Sequence, residues 1–590
     1  MQSTMAKGRR FDESTQAAKG LALWGGQSAK NGNESEGAAK PKLTGRLRAV
    51  VFLCIGLAAC SASGTDVERP RHRADAGSEG RIDDWVDDAG VEDAGVLIPD
   101  PKTCEEAALS RTYQGCDFWP TVTDNIVRPI FDFAVVVANT SDEIAEVQVM
   151  RQGAIVVTEV VPPQGLTKIY LPWVEELKSL TWMPGQPDNG CPTWVKTSSV
   201  KAVGGAYHLR SSRPVAVYQF NAIEYAGKGG RPGKTWASCD VNDCFGQQDC
   251  FSYTNDASLL LPSTALTENY RIFGPSAWKD TTADNGNGFT FPPYFAVTGT
   301  RDGTSVTVKT SPKGAIAGGG GVPATPGGGT ATFSLDAGDV VLVVGTETSD
   351  FSGTLVTATA PVQIVTGIAC SQIPHGVVAC DHLEETVLPV ETLGKHYFVT
   401  RPTGPSGSPA RHLVRIYGNV DGTQLTYPNG NPGGPSVIDA GQMIELPNVG
   451  QDFEIVADNE ILVASFQHGA GPLTGDRQGD PSLSFMASVE QYRKTYVFLA
   501  PDDYETNYAD IVAPLDAELV LDGAPVTVAP TPLGSGYGVV RLPLGAGNRG
   551  AHVLEASAPV GLQVMGYGAY TSYQYPGGLN LGKIAPPPVK

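Results

Sequence analysis

The sequence predicts an all-β protein of internally repeated antiparallel sheets, with a β-propeller favoured over tandem β-sandwiches. Three observations lead there. Of 590 residues, 70 are Gly and 44 Pro, and so many backbone punctuators leave little room for long helices. Four apolar strands follow a turn in the same way: Pro214-Val215-Ala216-Val217-Tyr218, Pro361-Val362-Gln363-Ile364-Val365, Glu460-Ile461-Leu462-Val463-Ala464 and Pro559-Val560-Gly561-Leu562-Gln563. Their first residues lie 147, 99 and 99 positions apart, a period that marks an internal repeat. Finally, one 99-residue unit resolves into eight short strands: 397–399, 412–416, 424–427, 436–438, 443–446, 453–456, 461–466 and 483–485. Gly, Pro, Asn and Asp turns separate them. Eight strands in about 100 residues make either two propeller blades or one sandwich. The absence of linkers between repeats favours the propeller.

Residues 1–59 read as an extension followed by a signal peptide. Arg46 and Arg48 precede an apolar run from Ala49 to Ala59, too short to span a bilayer, which needs about 20 residues, but suited to a secretory h-region. Leu57-Ala58-Ala59-Cys60 resembles a bacterial lipobox, which makes Cys60 the expected lipid-attachment residue. The basic flank lies about 45 residues in from Met1, so a start codon further along is expected. Residues 60–100 read as the lipidated Cys and an acidic linker: Asp75-Ala76-Gly77, Asp88-Ala89-Gly90 and Asp93-Ala94-Gly95 offer nothing to bury. Ser61 follows Cys60, which by the enteric sorting rule favours the outer membrane.

The chain carries a net charge of −20. Residues 1–59 account for 9 basic and 4 acidic residues, leaving 33 against 58 and a charge of −25 on the exported part. Nucleic acid is therefore not an expected partner, because affinity for phosphate comes from Lys and Arg. Besides Cys54 and Cys60, eight cysteines remain, an even number suited to disulfides in an exported chain. Close spacing favours Cys104 with Cys116 and Cys370 with Cys380. Cys191, Cys239, Cys244 and Cys250 can pair in three ways.

Residues 101–590 hold the repeats, in units of about 116–262, 263–389, 390–488 and 489–590. After each of the first three apolar strands, a Tyr (Tyr270, Tyr397, Tyr496) stands eight residues beyond an aligned Pro262, Pro389 or Ser488. Asp302-Gly303-Thr304 and Asp421-Gly422-Thr423 read as hairpin turns. Residues 225–290 and the Gly-rich insert Gly318 to Gly329 read as exposed loops.

Catalytic spacings such as G-x-S-x-G, H-E-x-x-H and the P-loop are absent. Cys380-Asp381-His382-Leu383-Glu384-Glu385 is the densest run of possible ligands. Asp381, His382, Glu384 and the repeat-related Asp480 are the candidate metal ligands, with Ca2+ the ion their oxygens suit. Asp381 lies eight residues before Pro389 and Asp480 eight before Ser488, while Asp256 lies six before Pro262. If the units surround an axis, these acids collect at one end. Asp240 to Gly246 is a weak match to a calcium loop. Asp256, Tyr573 and Tyr575 are candidate ligand-loop residues, and Trp173, Trp182 and Trp194 share a loop-rich stretch.

Four segments, read together, resemble the IgGFc-binding protein N-terminal domain family, in particular its myxobacterial lipoprotein branch. They are Ala206 to Val215, Ser252 to Pro262, Cys380 to Glu385 and Tyr575-Pro576-Gly577-Gly578. The resemblance spans roughly Cys116 to Ile584. It implies extracellular binding or adhesion and supplies no catalytic residues. The expectation is a non-catalytic, surface-exposed outer-membrane lipoprotein that binds an extracellular protein or glycan. A metal-dependent hydrolase or lyase of extracellular polysaccharide, and a scaffold of a secretion or motility complex, are the alternatives.

Overall fold

The computed structural model describes residues 100–179, 195–239, 250–279, 290–377, 379–470, 478–545 and 550–587. Cys60 with its signal and linker, Cys191, Cys244, Trp182, Trp194 and the 240–246 loop lie outside the described residues. The body is nearly all β, with small antiparallel sheets in a four-blade, propeller-like ring. All eight strands read from the 99-residue unit are present, from His396–Val399 to Leu483–Phe485.

Each unit repeats one arrangement. A central strand pairs with the long apolar strand of the repeat, which carries an inner strand on its other edge. In the second unit Pro293–Gly299 pairs with Val362–Ser371, which pairs with Asp381–Thr386. The third unit matches it with His412–Gly418, Ile461–Gln467 and Leu483–Phe485. The fourth uses Thr506–Pro514, Ala551–Gly568 and Thr571–Pro576. The first uses Phe133–Asn139, His208–Phe220 and Ala257–Leu260. In the second and third units another small sheet packs on this one, so the core of each lies between two sheets; Val297, Val306, Val341, Val356 and Ile364 form it in the second. Blade and sandwich are thus combined: each of these units is two-layered, and four units form the ring. The inner strands pack in a closed circuit, Ala257–Leu260 on Asp381–Thr386, then Leu483–Phe485, then Thr571–Pro576, and back to the first.

The tyrosine landmarks have a mechanical reason. The Tyr270 hydroxyl donates to the carbonyl of Val362 (2.6 Å) and accepts from Thr267 N–H (3.1 Å). Tyr397 does the same with Ile461 (2.7 Å) and Gly394 (3.3 Å), and Tyr496 with Val560 and Arg493. Each pins the start of its unit to the start of the apolar strand, as a tyrosine corner does. The Asp-Gly turns also repeat: Gly303 and Gly422 sit at φ 69 and φ 70, where a side chain would be strained. Their N–H groups donate to Asp336 and Asp439.

The ring is closed by its ends. Thr112 bridges to Asn580, Tyr113 N–H donates to Leu579, and Leu581 N–H donates to Arg111. The short helix Cys104–Ser110, capped by Thr103, leads into this seam. The Gly318 to Gly329 insert is mostly exposed, as its composition suggests, with Val322 and Thr325 buried within it. Val200–Ala202, from the first unit, adds to the second unit's sheet beside Val340–Gly345, and the insert lies against it. A Cβ on Gly320 would stand 2.3 Å from Lys201 N, so glycine there permits backbone-to-backbone contact between units.

Candidate functional site

Inner strands meet side by side without a continuous ladder, which leaves buried backbone N–H groups needing acceptors. Carboxylates of the neighbouring units supply them. Asp256, on the first unit, accepts from Ala257 N–H (2.9 Å), Glu384 N–H (3.1 Å) and Leu483 N–H (3.2 Å), and so binds three units together. Asp381, on the second, accepts from Asn255 N–H (2.7 Å), His382 N–H (2.8 Å), Thr571 Oγ1 (3.3 Å) and Ser572 N–H (3.4 Å). Glu385 accepts from Thr386 N–H and Phe485 N–H. Burial raises all three carboxyls well above their ordinary range, opposed by these backbone bonds.

The four candidate metal ligands divide into two places, because neighbouring strand residues face opposite ways. Glu384 turns toward the first unit, accepting from Thr123 Oγ1 (2.6 Å), Gln219 Nε2 (3.1 Å), Asn221 Nδ2 and Ser258 Oγ (both 3.2 Å). His382 Nε2 lies 3.4 Å from it. Asp381 instead faces Asp480, whose charge, after burial, is the next largest cause of the Asp381 shift. Among the described residues neither buried Asp480 oxygen has a hydrogen-bond partner, and burial raises that carboxyl as well. Among the described residues no three His, Cys, Asp or Glu side chains form a set that could hold a metal ion. Acids from three units do gather at the axis, as the repeat spacing anticipates, but Asp256 and Asp381 are 0% exposed and Asp480 1%.

The candidate ligand-loop residues are also interior. Tyr573 and Tyr575 are 0% exposed. The Tyr573 hydroxyl donates to Asn507 Oδ1 (2.8 Å), and Tyr575 donates to the Leu499 carbonyl and packs on Tyr218, with ring centroids 4.8 Å apart. The Tyr218 hydroxyl reaches Gly577. These aromatics cement the seam between the first and fourth units rather than face a ligand. The close cysteine pairs are joined as expected, Cys104 to Cys116 and Cys370 to Cys380, and a third bond links Cys239 to Cys250.

The solvent-facing recess that spacing rules overlook lies between the first two units. It has a volume of about 190 Å³ and is lined by Asp117, Trp119, His208, Arg210, Ser263 and Arg301, among others. Trp119 and His208 stack at 4.1 Å with 5° between planes. His208 Nε2 lies 2.7 Å from Asp117 Oδ2, and Arg210 Nε 3.5 Å. Burial pushes Asp117 up, but hydrogen bonds from His208 and Ser263 outweigh it and hold the carboxyl below its ordinary 3.8. Ser263 donates to Asp117 and accepts from Trp119 Nε1 (3.0 Å). A serine nucleophile would need to donate to the imidazole, whereas Ser263 donates to Asp117, so these groups are not ordered as a triad. Arg210 and His208 fall inside a segment that carries the family resemblance, the one available signal.

Among the described residues no helix is long and apolar enough to cross a membrane. Two solved structures align with very low similarity: an anti-sigma factor domain-containing protein from Clostridium clariflavum and the GH78 family rhamnosidase of Bacillus sp. GL1. The first shares 8% identity, with 77% of this chain and 99% of that chain covered and a TM-score of 0.10. The second shares 10% identity, with 79% and 53% covered and a TM-score of 0.12. Neither bears on the fold. Homo sapiens IgGFc-binding protein is 28% identical over 326 residues, 54% of this chain but 6% of that protein's length. The model of the family described as IgGFc binding protein matches residues 256–566, from the first inner strand through the fourth unit's long apolar strand, and the chain belongs to that family.

Proposed function

We propose that the chain is a non-catalytic binding or adhesion protein, held at the cell surface by a lipid on Cys60, that recognises an extracellular protein or glycan. The observation that carries this reading is how the acids are used. The buried carboxylates at the axis mostly accept hydrogen bonds from neighbouring strands, while the recess between the first two units presents Arg210, Arg301 and His208 to solvent. Family membership supports binding as the activity. The lipobox sequence and the acidic linker support a tethered surface location, with the outer membrane as the site of anchoring.

Two experiments test it. The full chain is applied to arrayed acidic and neutral glycans, to extracellular matrix from the producing cells, and to immunoglobulin Fc, for which the human relative is named. Saturable binding that Arg210→Ala and Arg301→Ala together weaken at least tenfold is expected; sugar release that Asp381→Asn abolishes would overturn the non-catalytic reading in favour of a polysaccharide hydrolase or lyase. For anchoring, Cys60→Ser releases the protein from the membrane fraction. An unchanged distribution, or protein resistant to protease on intact cells, counts against a surface lipoprotein.

A further inference from the structure

Beside the disulfide Cys239–Cys250, at the base of the first unit's loop, a lysine is buried between two carboxyls. Lys234 Nζ lies 2.9 Å from Asp132 Oδ2 and 2.8 Å from Glu224 Oε1, and the side chains are 5%, 12% and 1% exposed respectively. Glu224 Oε2 also accepts Asp132 N–H at 2.7 Å, so the same carboxyl touches both the amine and the backbone of its partner. The Trp236 ring covers the amine, with Nζ 4.1 Å from its centroid, and itself leans on Phe131 at 5.3 Å. Gly230 seals the other side: at φ 89, a Cβ there would stand 2.6 Å from Lys234 Cδ and 2.7 Å from Glu224 Oε1. A surface ion pair needs none of this enclosure.

We propose that Lys234 and Asp132 become joined by an intramolecular amide bond, with Glu224 as the proton carrier. Starting from ammonium and carboxylate, Lys234 passes a proton to Glu224, and the freed lone pair on Nζ attacks Cγ of Asp132. The N–C bond forms as Glu224 returns that proton to the oxygen of the adduct. A second proton leaves nitrogen by the same route, the C–O bond breaks, and the oxygen departs with both protons as water. Glu224 ends as it began, and no oxidant or activated co-reactant is consumed.

Two physical effects favour a condensation that free amine and acid do not undergo in water. Fixed contact supplies effective concentrations on the order of 10⁵–10⁸ M. The product also replaces two buried charges by a neutral amide and so removes their desolvation penalty. Burial raises Glu224 to about 7, against the hydrogen bond from Lys234, which suits a group that must both take and give a proton near neutrality. A recess of about 310 Å³ lined by Asp132, Arg231 and Lys234 lets the water leave. The bond would link positions 102 residues apart and lock the loop to the strand Phe133–Asn139.

The test is peptide mapping of the purified full chain after reduction and alkylation. The expected result is a branched peptide joining the Asp132 and Lys234 segments, lighter than their sum by one water, with no tryptic cleavage after Lys234. Recovery of both as unmodified linear peptides would overturn the proposal and leave a buried ion pair. Glu224→Gln, shown to be folded by its melting transition, should lose the branched peptide while keeping Asp132 and Lys234; full retention would remove Glu224 from the step. Asp132→Asn should restore the branch with loss of ammonia in place of water, and linear peptides in that variant would also count against the chemistry.

Discussion

The axis and the rim of the ring obey different rules. At the rim the strand Thr330–Leu335 alternates exposed and buried residues one by one, and the outer hairpin strand Ala154–Val161 leaves Ile155 61% exposed. At the axis, Asp381–Thr386 is buried at all six positions although four of them are Asp, His, Glu and Glu. Alternation is the signature of one solvated face; with neighbours on every side, polarity no longer reports exposure. What ties the units together at the axis is therefore the acceptance of backbone N–H groups by Asp256, Asp381 and Glu385, and what holds the rim is ordinary sheet packing.

That contrast sets a gradient of expected damage. Asp256→Ala leaves Ala257, Glu384 and Leu483 N–H groups without their acceptor; at about 1–3 kcal/mol each, the loss is roughly 3–9 kcal/mol in urea unfolding. A loss below about 1 kcal/mol would erase the distinction between axis and rim. Next comes Asp510, on the fourth unit's central strand, which accepts from Thr403 N–H (2.9 Å) and Oγ1 (2.6 Å) of the third unit. Burial, opposed by Arg541, raises it from 3.8 to about 6. The folded protein holds this proton more tightly than the unfolded chain does, so the contribution is complete below pH 3.8 and lost as pH rises through 6. Between pH 4 and 7 the wild type should lose about 2 kcal/mol more than Asp510→Asn, read as the difference between their melting curves. Equal pH dependence would show that the carboxyl is not held as the structure places it.

Tyr397→Phe removes one hydroxyl that serves two backbone groups of a corner, and about 1–2 kcal/mol is expected in the same unfolding assay. A neutral result would reduce the repeated tyrosine to a packing residue. At the rim, Ile155→Ser should change stability by no more than about 0.5 kcal/mol. A larger loss there would mean that the exposed hairpin is covered by a partner in the assay.

Much of the fold is legible in the sequence because the repeat carries its own fasteners. Tyr270, Tyr397 and Tyr496 recur at fixed offsets since each must reach the first residues of its unit's apolar strand, and Gly303 and Gly422 recur since the turn needs positive φ. The gathering of Asp256, Asp381 and Asp480 is legible for the same reason. Their use is not: a carboxylate that accepts backbone N–H groups and one that binds a ligand look alike in sequence, and only burial separates them. Tyr573 and Tyr575 mislead in the same way, since aromatic residues flanked by Gly and Pro suit a loop as well as a seam. The Lys234 cluster leaves no local trace, because Asp132 and Glu224 are 92 residues apart. The Arg210 and Arg301 recess likewise arises only where two units meet.

The pairing of residues 111–113 with 579–581 has a kinetic consequence. A contact this distant in sequence cannot form until almost the whole body has been synthesised, and such long-range closure is slow to nucleate. Until it forms, the first unit stands with its seam-facing aromatics uncovered, a state prone to misassembly. The feature that makes the finished ring continuous therefore also postpones its completion.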